Sequence, residues 1–150
     1  MANIVSKGGE IIMLTYEDFK TKVNGRTFDA LYNDGYPRAI NFVNENYGEE
    51  NIKAFYGKNL VNELNIELFF VFEKGLLKVS KQEGSDFVYE FLNCIVNKKK
   101  LVTNRHPSNP HILTISIDNG EQIVFHNKED SNYDWAPEYA ESILELYKVL

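Results

Sequence analysis

The chain has 150 residues, 43% of them hydrophobic and 13% aromatic, which suffices for one sizeable core and one domain of ordinary size. A net charge of −6 and a pI near 5.1 disfavour a general nucleic-acid binder, since backbone phosphates would be repelled on average. No run of about 18 apolar residues could span a bilayer, the N-terminus lacks the features of a secretory signal, and the single cysteine, Cys94, excludes an internal disulfide, so a cytoplasmic protein is expected.

Residues 1–12, MANIVSKGGEII, have neither helical nor strand periodicity. Ser6 to Glu10 could be encoded by a purine-rich stretch like a bacterial ribosome-binding site, with Met13 following at a suitable distance. Residues 1–12 are therefore either translated leader, with Met13 as the native start, or a disordered tail.

Residues 13–50 read as a helical extension of two short helices. Thr15 can cap the first, Asp18 can reach back to complete a capping box, and Leu14 can staple against Phe19, with an end near Asn24-Gly25. The second comes after Asp34-Gly35, with Pro37 tolerated in its first turn, Ile40, Val43 and Tyr47 along one face, and Gly48 to terminate it. Isolated helices of this length are marginal in water, so they must pack on the rest of the chain or on a partner.

From about Ile52 the apolar period changes to two. A strand is expected over Ile52–Tyr56 and a stronger one over Ile66–Phe72, with Ile66, Leu68, Phe70 and Phe72 sharing a face. Lys74-Gly75 makes a tight turn, Leu77 and Val79 resume the pattern, and Gly84-Ser85 breaks it. The run Phe87–Val96 is apolar on both faces apart from Glu90 and Asn93, which suits a strand that crosses between sheets or is covered on both sides. Leu101–Thr103 adds a short strand. Pro107 and Pro110 make Arg105–Pro110 a loop, because prolines remove ladder donors.

Leu113, Ile115 and Ile117 alternate, Asn119-Gly120 turns the chain, and Ile123 and Phe125 continue the same face, giving a hairpin with one side to bury. The last helix is expected from Asp134 as its cap, with Trp135, Ala136 and Pro137 in the first turn. Its stripe of Ala136, Tyr139, Ile143, Leu146, Tyr147 and Leu150 is apolar, leaving Glu138, Glu141 and Glu145 to water.

The hairpin Leu113–Phe125, with Trp135 and the helix to Leu150, resembles the last hairpin and capping helix of bacterial pleckstrin-homology-like domains. The segment Phe69–Val79 resembles an early hairpin of the same fold, and the whole chain resembles a small uncharacterised family of Gram-positive bacteria. The resemblance implies an α+β fold: a bent antiparallel pleckstrin-homology-like barrel over residues 51–150, capped by its C-terminal helix and preceded by two short helices. Eukaryotic members often bind phosphoinositides through a basic loop between the first two strands. Here the early hairpin turn has only Lys74 and the basic group lies later, so headgroup binding carries over to no residue.

Little chemistry is legible. His106, His111 and His126 read as solvated loop histidines rather than zinc ligands, since a zinc site needs about four ligands. His126 beside Asp130 could form a polar pair, but no nucleophile is placed beside it by any recognisable motif. No phosphate-cradling glycine loop occurs, Glu49-Glu50 and Glu129-Asp130 read as solvated turn acids, and Cys94 reads as a small buried hydrophobe. Phe55, Tyr56, Phe69 and Tyr89 could form an interaction patch, although aromatics at strand spacing more often fill a core.

The best candidate contacts are Lys98, Lys99, Lys100 and Arg105, four cations without an acid on a basic loop, whereas residues 118–145 carry eight acids against one lysine. No catalytic residue, metal or cofactor is indicated. The expected function is a non-enzymatic interaction module that takes a protein partner or a second copy of the chain at a strand edge or an edge-helix groove. The alternatives are a peripheral binder of anionic membranes or phosphoanions through the four cations, and a small acidic immunity or inhibitor protein.

Overall fold

A computed structural model describes residues 14–25, 29–62, 64–82, 86–93 and 96–150. The leader question at residues 1–13, the Gly84-Ser85 break and Cys94 lie outside the described residues.

The first helix, α1, is Tyr16–Asn24. Thr15 Oγ1 accepts from the Asp18 amide at 3.1 Å and Asp18 Oδ2 accepts from the Thr15 amide at 3.2 Å, the expected reciprocal cap. The expected staple is absent: Leu14 and Phe19 are both buried but belong to different apolar clusters. A further short helix, α2 (Asp29–Asn33), precedes α3 (Tyr36–Val43), which begins after Gly35 in the left-handed region with Pro37 in its first turn. α3 widens into a π-helical turn, Asn44–Gly48, and a 3₁₀ turn, Glu49–Asn51. Gly48, at φ +84°, makes the exit that a side chain would hinder.

Two antiparallel sheets come next. The first holds β1 (Ala54–Lys58), β2 (Glu67–Phe72), β3 (Gly75–Lys81) and β4 (Phe87–Leu92) in chain order. The second holds β5 (Val96–Val102), β6 (Ile112–Ile117) and β7 (Gln122–His126), and α4 (Ala136–Val149) closes the chain. The run Phe87–Val96, expected as a single strand, is divided: β4 ends at Leu92 in the first sheet and β5 begins at Val96 in the second, while two-sided cover belongs to β2.

β2 is buried on both faces because the four-stranded sheet is a middle layer. Leu68, Phe70 and Phe72, with Phe55, Leu77 and Val79, pack with Phe19, Val23, Ile40 and Val43 of the helices. Phe69 and Val71, with Tyr56 and Leu76, pack with Leu113, Ile115 and Phe125 of the second sheet and Trp135, Tyr139 and Ile143 at α4. The N-terminal helices therefore pack on the first sheet of their own chain.

Three further expectations are corrected. Among the described residues no ladder joins the two sheets, so the barrel is not closed; individual hydrogen bonds link them near β1 and β7, including Lys58 Nζ to Val124 O at 2.8 Å and Asn59 N to Asp130 O at 2.7 Å. Asp134 does not cap α4: Asn132 Oδ1 accepts from the Trp135 amide at 3.0 Å, and Trp135 holds the cap position. Glu138 does not face water; it is 1% exposed, and among the other described residues neither carboxylate oxygen has a hydrogen-bond partner.

Candidate functional site

β4 is an outer strand, paired only with β3 among the described residues. Gln82 donates its amide to Asp86 O, making that a hydrogen-bonded pair just before the strand. Antiparallel pairs alternate, so with Lys81 opposite Phe87 and Leu77 opposite Phe91 the backbone groups of Phe87, Tyr89 and Phe91 point away from β3.

The same three side chains meet the helical layer as a row of ring pairs. Tyr36 meets Phe87 edge-on at 4.9 Å, Phe42 stacks on Tyr89 at 4.1 Å, and Tyr47 lies parallel to Phe91 at 5.8 Å. Such pairs favour centroid separations of about 4.5–7 Å and add roughly 0.5–1.5 kcal/mol beyond area burial. The row is anchored at one end by Arg38, whose Nη1 and Nη2 reach the Asp86 carboxylate at 2.6 and 3.2 Å. Its outer margin is open: Phe42 is 39% and Phe91 38% exposed.

At the other end the row opens on a cavity of about 640 Å³, lined by Tyr47, Phe72 and Phe91 with Lys53, Lys74, Glu50, Glu73, Asn46 and Asn51. The π-helical turn forms one wall and the β2–β3 turn another. π-Helical turns are often found at functional sites. The Asn46 and Asn51 side-chain amides donate to the carbonyls of Phe42 and Tyr47, at 2.9 and 3.0 Å, which holds that wall together.

The four expected cation contacts do not act alike. Lys98, Lys99 and Lys100 lie on β5, not in a loop, and alternate faces there; Arg105 is in the following loop and exposed. Lys98 pairs in register with Ser116 and Lys100 with Thr114, whereas Lys99 sits opposite the buried Ile115. Lys99 Nζ donates to Tyr147 O at 2.8 Å and lies 4.6 Å from the Tyr147 ring centroid, so it caps the C-terminal turn of α4. Lys98, Lys100 and Arg105 have no ion-pair partner among the described residues.

The His126–Asp130 pair exists through the backbone. Asp130 Oδ2 accepts from the His126 amide at 2.8 Å and from the Tyr56 hydroxyl at 2.7 Å, and Lys58 Nζ lies 3.8 Å from Oδ1. Burial pushes the Asp130 carboxyl above its ordinary value despite these partners. The His126 ring is occupied elsewhere, its Nδ1 accepting from the amides of Lys128 and Glu129. His106 is exposed, but His111 is buried, its ring bridging Asn109 O and the Asn104 amide rather than facing solvent. Among the described residues no group of three histidine, cysteine or acidic side chains could hold a metal ion.

Of the expected aromatic patch, Phe55, Tyr56 and Phe69 are core and Tyr89 alone reaches the edge. Tyr47, Phe72 and Phe91 were missed as a group. For Phe91 the available signal was the alternation Phe87-x-Tyr89-x-Phe91, which the apolar character of the whole run obscured; nothing local points to Tyr47 and Phe72 beside it.

The family model described as "Protein of unknown function (DUF3908)" matches residues 13–141. The chain belongs to the DUF3908 family. No curated protein and no solved structure shows significant similarity to it. The site of this DUF3908 member is thus read from its own geometry.

Proposed function

We propose that this DUF3908 protein is a non-enzymatic, cytoplasmic interaction module of pleckstrin-homology-like architecture that accepts an extended segment of a protein partner along β4. Sheets of four and three antiparallel strands with one amphipathic helix after them support the architectural part of this reading. One arrangement carries the functional part: the backbone groups of Phe87, Tyr89 and Phe91, which the register turns away from β3, lie beside half-exposed rings. An added strand would satisfy those groups while its side chains gain contact with Phe42 and Phe91.

The test is selection from a displayed library of random peptides on the full chain, then amide shift mapping with the enriched peptides. The largest shifts are expected at Phe87, Tyr89 and Phe91. Shifts confined to other elements, or no enrichment, reject strand addition. If the occupant is a second copy, the same amides shift with protein concentration alone.

A second reading, binding of an anionic surface, is favoured by Lys98 and Lys100, which alternate with the pinned Lys99 and are exposed. Each near-surface cation contributes on the order of 1 kcal/mol with anionic lipid. Sedimentation with phosphatidylserine vesicles that is unaffected by salt and by replacing Lys98, Lys100 and Arg105 with glutamine removes this reading.

A further inference from the structure

The cavity at the end of the aromatic row adjoins the strand edge and shares Phe91 with it, while Tyr47, Phe72, Lys53 and Lys74 belong to the cavity alone. Tyr47, Phe72 and Phe91 form a triangle, each pair of centroids 5.8 Å apart, wider than the 4.1 Å of Phe42 and Tyr89. Elsewhere the chain lays cations on its rings, with Lys20 near Tyr16, Arg38 and Lys81 near Phe87, and Lys58 near Phe125. Among the described residues no cation lies over the three cavity rings, although Lys53 and Lys74 line the same space.

Both lysines are exposed, and neither side chain has an ion-pair or hydrogen-bond partner among the described residues. The two acids of the lining are not paired with them either. Glu50 lies against the backbone of Gly48, with Oε2 3.0 Å from where a Cβ would stand, and Glu73 is in the exposed β2–β3 turn. The space is an open depression of about 640 Å³, within the size range of small-ligand sites, with three aromatic rings on one side and charged and amide side chains on the others.

We propose that this cavity binds a small planar aromatic anion, with its ring against Tyr47, Phe72 and Phe91 and its anionic group between Lys53 Nζ and Lys74 Nζ. Ring faces supply the apolar contact, and the two unpaired ammonium groups supply the charge that selects an anion over a cation. The site does not depend on strand addition to β4.

The experiment is a chemical-shift titration of the full chain with 2-naphthoate, beside 2-naphthylmethylammonium and cyclohexanecarboxylate. Saturable shifts at Tyr47, Phe91 and Lys74 are expected with 2-naphthoate, at a Kd of about 1 mM or tighter for a probe of this size. The two comparison probes should bind more weakly. The double variant Lys53→Gln/Lys74→Gln should weaken 2-naphthoate roughly fivefold or more, as expected for loss of two exposed charge contacts. Phe91→Leu should weaken it while an unchanged thermal midpoint confirms an intact fold. Tighter binding of the ammonium probe overturns the assignment of charge. Equal binding of cyclohexanecarboxylate overturns the role of the rings, and no saturable shift by roughly 10 mM overturns the site.

Discussion

The Tyr56 hydroxyl donates to Asp130 Oδ2 at 2.7 Å, joining β1 of one sheet to the segment just after β7 of the other. Tyr139 donates to the carbonyl of Gly57 next to it, and the Tyr56 and Tyr139 rings meet edge-on at 5.3 Å. The two sheets and α4 are thus held at one corner by a buried polar junction where no strand ladder connects them.

Tyr56→Phe keeps the ring and removes one acceptor contact of a buried carboxylate. A loss of about 1–3 kcal/mol is expected in denaturant unfolding, because Asp130 retains its desolvation cost. The Asp130 carboxyl is held above its ordinary value by burial, so the folded protein binds its proton more tightly than the unfolded chain. This group therefore costs stability as pH rises from the unfolded toward the folded value, and Tyr56→Phe should deepen that fall.

Glu138 is a sharper case, being buried with neither oxygen partnered by another described residue and its carboxyl shifted upward by burial. Glu138→Gln is expected to stabilise the protein by about 1–2 kcal/mol at neutral pH, since no charge is then buried. The sign comes from the raised value: the wild type loses stability as pH climbs from the unfolded carboxyl range, and the variant should lose less. Parallel urea titrations across acidic and neutral pH measure the difference.

Phe19→Ala tests whether the helical layer shares the core of the sheets. Phe19 is fully buried, 5.0 Å from the Phe55 ring, and in the cluster that contains Phe70. A loss of about 3–5 kcal/mol in a single unfolding transition is expected. Two transitions, only the first affected, would show that the helices unfold apart from the sheets.

Lys99→Met should cost about 0.3–1 kcal/mol by removing a cation from the C-terminal turn of α4. Lys98→Met and Lys100→Met should stay within about 0.5 kcal/mol of the wild type. Thermal midpoints of the three variants separate the pinned lysine from its neighbours.

The elements were legible where local chemistry decides them. Thr15 with Asp18, Pro37 after Gly35, and Asn119-Gly120 each specify a cap or turn within a few residues, and each stands where expected. Alternation located the hairpins, with β1 shifted two residues along. The orientation of Glu138 was not legible, because its burial depends on what covers α4 and not on the helical period. Nor was the role of Lys99, whose partner carbonyl lies 48 residues away. The aromatic cavity gathers residues from the π-helical turn, β2 and β4, and no short-range pattern records that meeting.

The order in which the layers are written into the chain also orders their making. Every residue of the helix-side cluster, from Tyr16 to Tyr89, precedes the second sheet. A growing chain can therefore close that side while residues 96–150 are still within or near the ribosome. The opposite face, with Tyr56, Phe69, Val71 and Leu76, stays uncovered until β6, β7 and finally α4 are synthesised. Slow translation over the last third would prolong the life of an intermediate with a sticky aromatic face, and a chain stalled before α4 would be a natural client for chaperones.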